Sequence, residues 1–401
     1  MSAPARLYQQ IEAQITHCAG PAVRITSVRR LASLVLGILA SEQCVLRQVA
    51  RELKAMGLRP AQETSTERRL RRTVADPRLD TGVGYGALVQ ASVDWPTTEP
   101  VVLVLDESTT PGGLHVLRLS LAYRGSCLPL AWKVWPQQEK LPRGAYWRFM
   151  DAVLAHAAAL LPSHLRVVLL ADRAYDVPPV IDRLTALGWD WIIRVKARSK
   201  MVWRDPDGSE QPLRALVGAQ LVRPGDRVRA TGETFKKAGW RAVQLVGEWG
   251  RGYAEPLVVL TNLDPCWTVL RRYARRFWIE PAFRQDKRKG WHWEQSQVRD
   301  PVRQDRLLLA LAWASLLALS LGAQQAASAV AAFTARTGRC PKPSHPRDSL
   351  FRLGLGCFRA WLYGTVRGRL SWHLPHLTHP TWCAEWLAVQ QPPPPAQSVP
   401  P

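Results

Sequence analysis

In VVLVLD at 101–106, five apolar residues in unbroken succession end on an acid, Asp106, and this pattern is the strongest indication of the fold class. A strand that is buried on both faces has this continuous apolar pattern, whereas a strand with one solvent face alternates. A second run of the same kind, RVVLLAD at 166–172, also ends on an acid, Asp172. The two runs predict an α/β fold in which buried strands end on carboxylates.

The segments around these two runs complete a predicted mixed sheet. Its strands are at 101–106, 115–124, 127–136, 166–172 and 189–197, with helices at 146–161 and 177–188. The first three strands join as hairpins, and right-handed crossovers place the other two beside the first, which gives the order 3-2-1-4-5. Asp106 and Asp172 then end neighbouring strands, where ligands of open α/β sheets bind.

Pattern changes divide the chain into five predicted regions. Residues 1–95 have apolar residues at helical spacing and predict a helical N-terminal domain, in which an arginine-rich helix suits docking in a DNA groove. Residues 198–262 carry short strand and turn signals, so they predict a β-rich insertion between two parts of the sheet domain, 96–197 and 263–325. Residues 326–401 form a C-terminal region, to which we assign dimerisation as a hypothesis, and its Pro-rich tail is predicted to be disordered.

The charge balance favours a polyanionic partner. The chain has 401 residues, with 54 Lys and Arg against 32 Asp and Glu, for a formal net charge of +22. The cations are spread along the chain, which suits a long phosphate backbone because each contact releases counterions. A basic protein without such a partner, or one that binds acidic membranes, is the other interpretation of this charge. We predict double-stranded DNA as the partner.

Cysteine usage and hydropathy predict a cytoplasmic protein without a membrane span. The seven Cys contain no CxxC pair, which argues against a disulfide framework or a zinc ribbon. The apolar run 307–322 is shorter than the roughly 20 residues of a typical span, so it predicts a buried helix. Zinc is not predicted at His373, His376, His379 and Cys383, because prolines interrupt them and their spacing is irregular.

A third carboxylate comes from the stretch YARRFWIEPAFRQDK, which begins at Tyr273. On a continuous α-helix, Tyr273, Arg276, Glu280 and Lys287 fall within an arc of roughly 60°. One face would then carry a carboxylate flanked by a phenol and two cations, although a solvated basic helix explains the spacing equally well. Pro281 disfavours α conformation at Glu280 and predicts a kink just after it.

Two further acids near the strand ends are not predicted ligands. Glu107 follows Asp106, so its side chain is predicted to point to the opposite face of the strand. Asp176 precedes Val177 and Pro178, and we interpret it as the cap of the following helix.

The spacing Y-(2)-R-(3)-E-(6)-K of the stretch that begins at Tyr273 resembles the signature of DDE transposases of bacterial insertion sequences, type-four group. VLVLDEST at 102–109 resembles their first-Asp motif, and ADRAYD at 171–176 resembles their second. The resemblance covers about 100–295. It implies a ribonuclease-H-like fold with a β-rich insertion between the second Asp and the Glu. It also implies a bacterial, cytoplasmic and nucleoid-associated protein.

The same resemblance implies a function and a site. The implied catalytic and metal-ligating residues are Asp106, Asp172 and Glu280. The residues implied to contact phosphates at the transposon end are Tyr273, Arg276 and Lys287. Two Mg²⁺ or Mn²⁺ ions stabilise the attacking and leaving oxygens of a phosphodiester in such a site. The implied activity is cut-and-paste DNA transposition by a homodimer in a synaptic complex with two transposon ends.

One position departs from the family pattern, and two other functions stay open. Leu257 stands where some relatives have a Trp that accepts a flipped base, so a hairpin intermediate is not implied unless Trp240 or Trp249 substitutes by stacking. The first alternative function is another ribonuclease-H-like DNA nuclease that cuts without strand transfer. The second is a catalytically inactive, transposase-derived DNA-binding protein.

Overall fold

The structure is a computed structural model that describes residues 2–375, apart from residues 22, 59–61, 80–83, 96–97, 111, 139, 198, 338–348 and 366–369. Its described residues form two compact units. The helical unit lies within 1–96, 107–163 and 280–383, and the sheet unit lies within 97–106 and 164–279. The predicted Pro-rich tail, His376, His379 and Cys383 lie outside the described residues.

The described chain is mixed α/β, as the sequence predicts. The strands are β1 (Val101–Thr109), β2 (Leu114–Tyr123), β3 (Ser126–Pro136), β4 (Val167–Ala171), β5 (Asp190–Val195), β6 (Val202–Arg204), β7 (Glu210–Pro212), β8 (Arg227–Thr234), β9 (Arg241–Glu248) and β10 (Leu257–Thr261). The helices are α1 (Ala3–Ala19), α2 (Ile25–Ser41), α3 (Leu46–Ala55), α4 (Glu63–Ala75), α5 (Tyr85–Ser92), α6 (Ala145–Leu160), α7 (Pro178–Ala186), α8 (Leu213–Gln220), α9 (Trp267–Tyr273), α10 (Ile279–Arg284), α11 (Pro301–Thr337) and α12 (Leu350–Leu362).

The sheet unit contains the strand order β1-β4-β5-β10-β9-β8-β6-β7. Strands β1, β4 and β5 are parallel, and β4 is buried along its whole length, as its apolar sequence predicts. The pairing of β1 with β4 ends at Leu105 opposite Ala171. Asp106 and Asp172 each follow one of these two paired residues, so the two acids lie just past the β1–β4 pairing. The predicted end of the first strand at Asp106 is wrong, because β1 continues to Thr109.

The strands of the predicted insertion continue the same hydrogen-bonded order. Strand β10 pairs with β5 in antiparallel orientation, and β9 and β8 follow it, also antiparallel. Without β10 the outer edge of β5 would expose unpaired backbone N–H and C=O groups. The insertion therefore closes the edge that the predicted five-strand order leaves open.

The helical unit contains the hairpin of β2 and β3, with β2 next to β1 in the strand order. Both parts of the predicted order are thus present, 3-2-1 at this hairpin and 1-4-5 in the sheet unit. The assignment to the ribonuclease-H-like fold and the predicted domain boundaries stay predictions.

Helix α11 is the central helix of the helical unit. It is long and apolar enough to cross a membrane by length and composition, yet its most apolar window is 94% buried within the protein. It packs against α2, α4, α12 and β3. This agrees with the buried helix that 307–322 predicts.

The helices predicted for residues 1–95 are α1 to α5, and they lie in the helical unit with α11 and α12. Helix α4 buries Thr66, Leu70, Thr73 and Val74 on one side. Its exposed arginines are Arg68, Arg69, Arg71 and Arg72. Whether residues 1–95 act as a DNA-binding domain of their own stays a prediction.

Two glycines set the close approach of α11 and α12. A Cβ atom at Gly322 would overlap the carbonyl oxygen of Leu350, and one at Gly354 would overlap the carbonyl oxygen of Ala318. Both obstacles are backbone atoms, so no side-chain rotation can relieve the overlap. The helix pair therefore depends on the absence of side chains at these two positions.

We expect Gly322→Ala to destabilise the protein by about 3 kcal/mol, because the two helices must move apart and lose packing. Gly356→Ala, on α12 with open space around it, is the matched control. That change is expected to stabilise by about 0.5–1 kcal/mol, since alanine loses less conformational freedom in a helix. Urea unfolding of both variants measures the difference, and equal midpoints would show that the glycine contact is unimportant.

Candidate active site

Asp106 and Asp172 share one cation in the sheet unit. Nη2 of Arg276 donates to Oδ2 of Asp106 at 3.1 Å and lies 3.7 Å from Oδ2 of Asp172. The side chains of Arg276 and Asp106 are only 12% and 15% exposed, and that of Asp172 is 32% exposed. A single nitrogen atom thus brings together two of the predicted catalytic acids and one predicted phosphate-binding residue.

The loop after β4 fixes the position of Asp172. The backbone N–H of Ala174 donates to Oδ1 of Asp172 at 2.8 Å, and the N–H of Tyr175 donates to the carbonyl of Asp172. Such a turn is the usual local structure for an Asp that bonds to the backbone two residues on. Oδ1 is therefore held by the loop, while Oδ2 faces the guanidinium of Arg276.

Tyr273 is buried beside this pair. It is 1% exposed, and its ring meets Phe277 edge-on at 6.1 Å. Burial raises the pKa of the Tyr273 phenol, against the opposing effect of the Arg276 and Arg194 cations. The phenol therefore stays protonated at physiological pH. The phosphate contact that the resemblance implies for Tyr273 stays a prediction.

The segment 267–289 is helical throughout, but its turns are not uniform. After α9 a 3-10 turn covers Ala274–Trp278, and after α10 a π turn covers Gln285–Lys289. The regular α-helix expected between Tyr273 and Glu280 is therefore interrupted, because the first irregularity already comes before Glu280, where no kink was predicted. Pro281 explains this, because a proline is tolerated only in the first turn of a helix, and α10 restarts at Ile279.

This change of winding alters which signature side chains share a face. A 3-10 turn has 3.0 residues per turn against 3.6 in an α-helix, so the predicted 60° arc is not kept. Tyr273 is buried, whereas Glu280 is exposed in the helical unit. The structure thus brings Asp106, Asp172 and Arg276 together, and the roles of Glu280 and Lys287 stay predictions.

Lys287 lies in the π turn of the helical unit. It is half-buried, and burial lowers the pKa of its ammonium group more than any neighbouring charge does. Glu294 and Asp286 act in the opposite direction. Lys287 therefore lies next to a buried carboxylate, that of Asp286.

Asp286 forms a buried ion pair that the sequence did not indicate. Nη1 of Arg118, from the middle of β2, donates to Oδ2 of Asp286, and the Arg118 guanidinium lies 4.0 Å from the centre of the Phe283 ring. Arg118 is 2% exposed and Asp286 is 6% exposed. Burial raises the pKa of Asp286, while the Arg118 cation lowers it. This pair attaches the π turn to the β2–β3 hairpin.

Asp176 does not cap α7, so the predicted role of this residue is wrong. The cap of α7 is Val177, and no side chain caps that helix. A capping oxygen needs a backbone N–H at the second or third helical position. Pro179 at the second position has none, and the N–H of Val180 at the third donates to the carbonyl of Val177. Burial raises the pKa of Asp176 to about 6, with a further contribution from Asp172, against the opposing Lys196 cation.

Glu107 and the two candidate stacking residues have partners of their own. In the helical unit, the Tyr146 hydroxyl donates to Oε1 of Glu107 at 2.6 Å, and Nδ1 of His115 lies 4.0 Å from Oε2. In the sheet unit, the Arg204 guanidinium covers the Trp240 ring at 4.2 Å, and Nε1 of Trp249 donates to the carbonyl of Tyr253 at 2.8 Å. Base stacking by either tryptophan stays a prediction.

The pair of Asp106 and Asp172 fits a hard divalent cation. Carboxylate oxygens are the ligands that Mg²⁺ and Mn²⁺ prefer, and both Oδ2 atoms already lie near one positive charge, on Arg276. Within the described part of the chain, no three His, Cys, Asp or Glu side chains come together as a metal-binding group. The two aspartates therefore form the described part of a candidate metal site, and Glu280 as third ligand stays a prediction.

One family model matches part of this chain. Residues 144–317 match the family model of the transposase DDE domain, a range that includes Asp172 and Glu280 but begins after Asp106. No curated protein matches the chain. The match supports a DDE transposase, and membership of the type-four group stays a prediction.

A solved piggyBac transposase synaptic complex with hairpin DNA aligns with 91% of this chain and 84% of its own. The sequence identity is 11% and the TM-score is 0.37. A likeness at this level carries no inference about fold or activity.

Asp176→Asn is expected to raise the thermal unfolding midpoint at pH 8, with a gain that shrinks as the pH falls from 6 to 4. The carboxyl has a higher pKa in the folded than in the unfolded chain, so its stabilising effect is full at low pH and is lost as the pH rises through about 6. Thermal melts of both proteins at fixed ionic strength test this. A constant difference across the range would contradict it.

Asp286→Ala should destabilise the protein by about 3–5 kcal/mol, because it leaves the Arg118 cation buried without its partner. The double variant Arg118→Met/Asp286→Leu should recover most of that loss, since it removes both charges and keeps apolar volume. Urea unfolding measures both. If the double variant were no more stable than the single one, the ion pair would not explain the loss.

Proposed function

We propose that this chain is a cut-and-paste transposase that cleaves the ends of a DNA element and joins them to a target. The observation that carries the proposal is the convergence of Asp106 and Asp172 on Arg276, just past the last paired residues of the parallel strands β1 and β4. The transposase DDE domain match over 144–317 gives independent support. The chain's net charge of +22 suits a DNA partner.

The proposed site holds two Mg²⁺ or Mn²⁺ ions on Asp106, Asp172 and Glu280. When bound, such ions offset the charge that develops on the attacking and leaving oxygens of a phosphodiester. Asp106 supplies hard oxygen ligands from within β1, and Asp172 supplies them from the residue after β4. Arg276 contributes a cation next to the pair, and its planar fork suits a phosphate of the DNA backbone.

The proposed DNA contacts extend beyond these carboxylates. Lys287 and Tyr273 are proposed to contact phosphates at the transposon end, Lys287 as a point charge. The exposed arginines of α4 offer a cationic helix for duplex DNA, in line with the proposed role of residues 1–95.

The remaining assignments follow from the family resemblance. Residues 96–197 and 263–325 are proposed to form a ribonuclease-H-like catalytic core, with 198–262 as its insertion and 326–401 as a dimerisation region. We further propose a homodimer that pairs two transposon ends, in the cytoplasm of a bacterium.

Asp106→Asn, Asp172→Asn and Glu280→Gln should each abolish cleavage and leave DNA binding largely intact, because each removes a charged metal ligand and keeps the basic surface. Cleavage is measured with Mg²⁺ or Mn²⁺ on linear DNA that carries the sequences flanking the gene. Asp264→Asn, at an exposed acid in the sheet unit, is the matched control and should cleave normally. Near-normal cleavage by one of the three variants would remove that residue from the site.

Arg276→Ala should weaken both cleavage and binding, since it removes a cation from the carboxylate pair and from the DNA contact. A strand-transfer assay with pre-cleaved ends separates a transposase from a nuclease that only cuts. Binding without nicking by the folded protein would favour the inactive, DNA-binding alternative.

A further inference from the structure

A second cationic surface lies in the sheet unit, on β8 and α9. The sequence RVRATGET of β8 alternates, so that Arg227, Arg229 and Thr231 are exposed while Val228 is buried. Such alternation is typical of a strand with one solvent face. The arginines of that face meet the first residue of α9, Trp267. We call the group of Arg227, Arg229, Trp267 and Arg271 the Arg–Trp surface.

Trp267 holds two guanidinium groups at once. The Arg229 guanidinium lies 4.8 Å from the ring centre and that of Arg227 lies 5.1 Å from it. Cation–π contact of this kind orients an arginine and lowers the entropy that it loses on binding an anion. The ring is half-buried, so the two cations contact an aromatic side chain that is itself partly packed into the protein surface.

Most donors of the two guanidinium groups remain for a ligand. Each guanidinium has five N–H donors in a planar fork. Arg229 uses Nη1 for the carbonyl of Pro265 at 3.2 Å, and Arg227 uses Nη2 for Oε1 of Glu248 at 3.1 Å. Arg271 adds a third exposed cation one helical turn after Trp267.

The Arg–Trp surface is distinct from the carboxylate pair. Arg271 and Tyr273 lie about 160° apart around the axis of α9, and it is the buried Tyr273 that is influenced by the charges of Asp106 and Asp172. The helix thus has one side toward the carboxylates and another side with the exposed cations. A ligand on the Arg–Trp surface need not approach the reacting phosphate.

We propose that the Arg–Trp surface binds the phosphate backbone of duplex DNA, as a contact separate from the site of cleavage. This inference rests on the proposed DNA-processing function. Arg227 and Arg229 lie about 7 Å apart along one strand, which lets them reach neighbouring phosphates. The guanidinium groups cover the Trp267 ring, so the contact is made to phosphates without base stacking. It is therefore independent of DNA sequence.

The first arm of the test removes the cations. Arg227→Ala/Arg229→Ala should lower the slope of log affinity against log salt by about 2 for any duplex, because two phosphate contacts are lost. Arg214→Ala/Arg223→Ala removes the same charge from exposed positions elsewhere in the sheet unit and should leave the slope unchanged. The probes are the element's end and a duplex of unrelated sequence, which should be affected alike.

The second arm removes the carboxylate that competes for Arg227. Glu248→Gln should raise the affinity for both duplexes several-fold, and a misfolded protein cannot produce such a gain. Equal slopes for the two double-arginine variants, or no gain from Glu248→Gln, would overturn the inference while leaving the proposed function in place. A wild-type chain that binds neither duplex would overturn both.

Discussion

Two carboxylates on adjacent positions of neighbouring parallel strands repel each other, and a nearby cation offsets that repulsion. In this protein the cation is Arg276, whose Nη2 atom lies within 4 Å of an oxygen on Asp106 and on Asp172. The arrangement depends on the register of β1 and β4, because a shift by one residue would turn each acid to the other face of the sheet. Buried apolar residues along both strands fix that register.

The segment that carries Arg276 combines three kinds of helical turn within a short length. A 3-10 turn precedes α10, and a π turn follows it. Such departures from the α-helix occur often at functional sites, since they re-aim side chains without breaking the helix. Pro281 accounts for the restart at Ile279. The π turn has a partner of its own in the buried pair of Arg118 and Asp286.

Arginine residues make three different kinds of contact in this chain. Arg276 sits between carboxylates, Arg118 is buried in an ion pair, and Arg227 with Arg229 lies on a tryptophan at the surface. The planar guanidinium suits all three places because it bonds in its plane and stacks through its face. A large positive charge counted from the sequence therefore overstates the number of cations that are available to a polyanion.

The sequence alone determined the strands and much of their order. A strand with a continuous apolar run such as 101–105 keeps those side chains out of water only if both of its faces are buried. The sequence also placed Asp106 and Asp172 at neighbouring strands, since hairpin and crossover rules leave few arrangements. It did not determine the helical winding around Glu280, because that depends on how the chain accommodates Pro281.

Only the tertiary structure paired Arg118 with Asp286 and placed Arg227 and Arg229 on Trp267. The partners of each group are far apart in the chain, and no local spacing rule connects them. Asp176 shows the same limit, since its burial beside Asp172 follows from the packing of the loop and not from its own neighbours in sequence. Local pattern fixes which backbone segments must be buried, whereas the pairing of charges is decided by which surfaces the fold brings together.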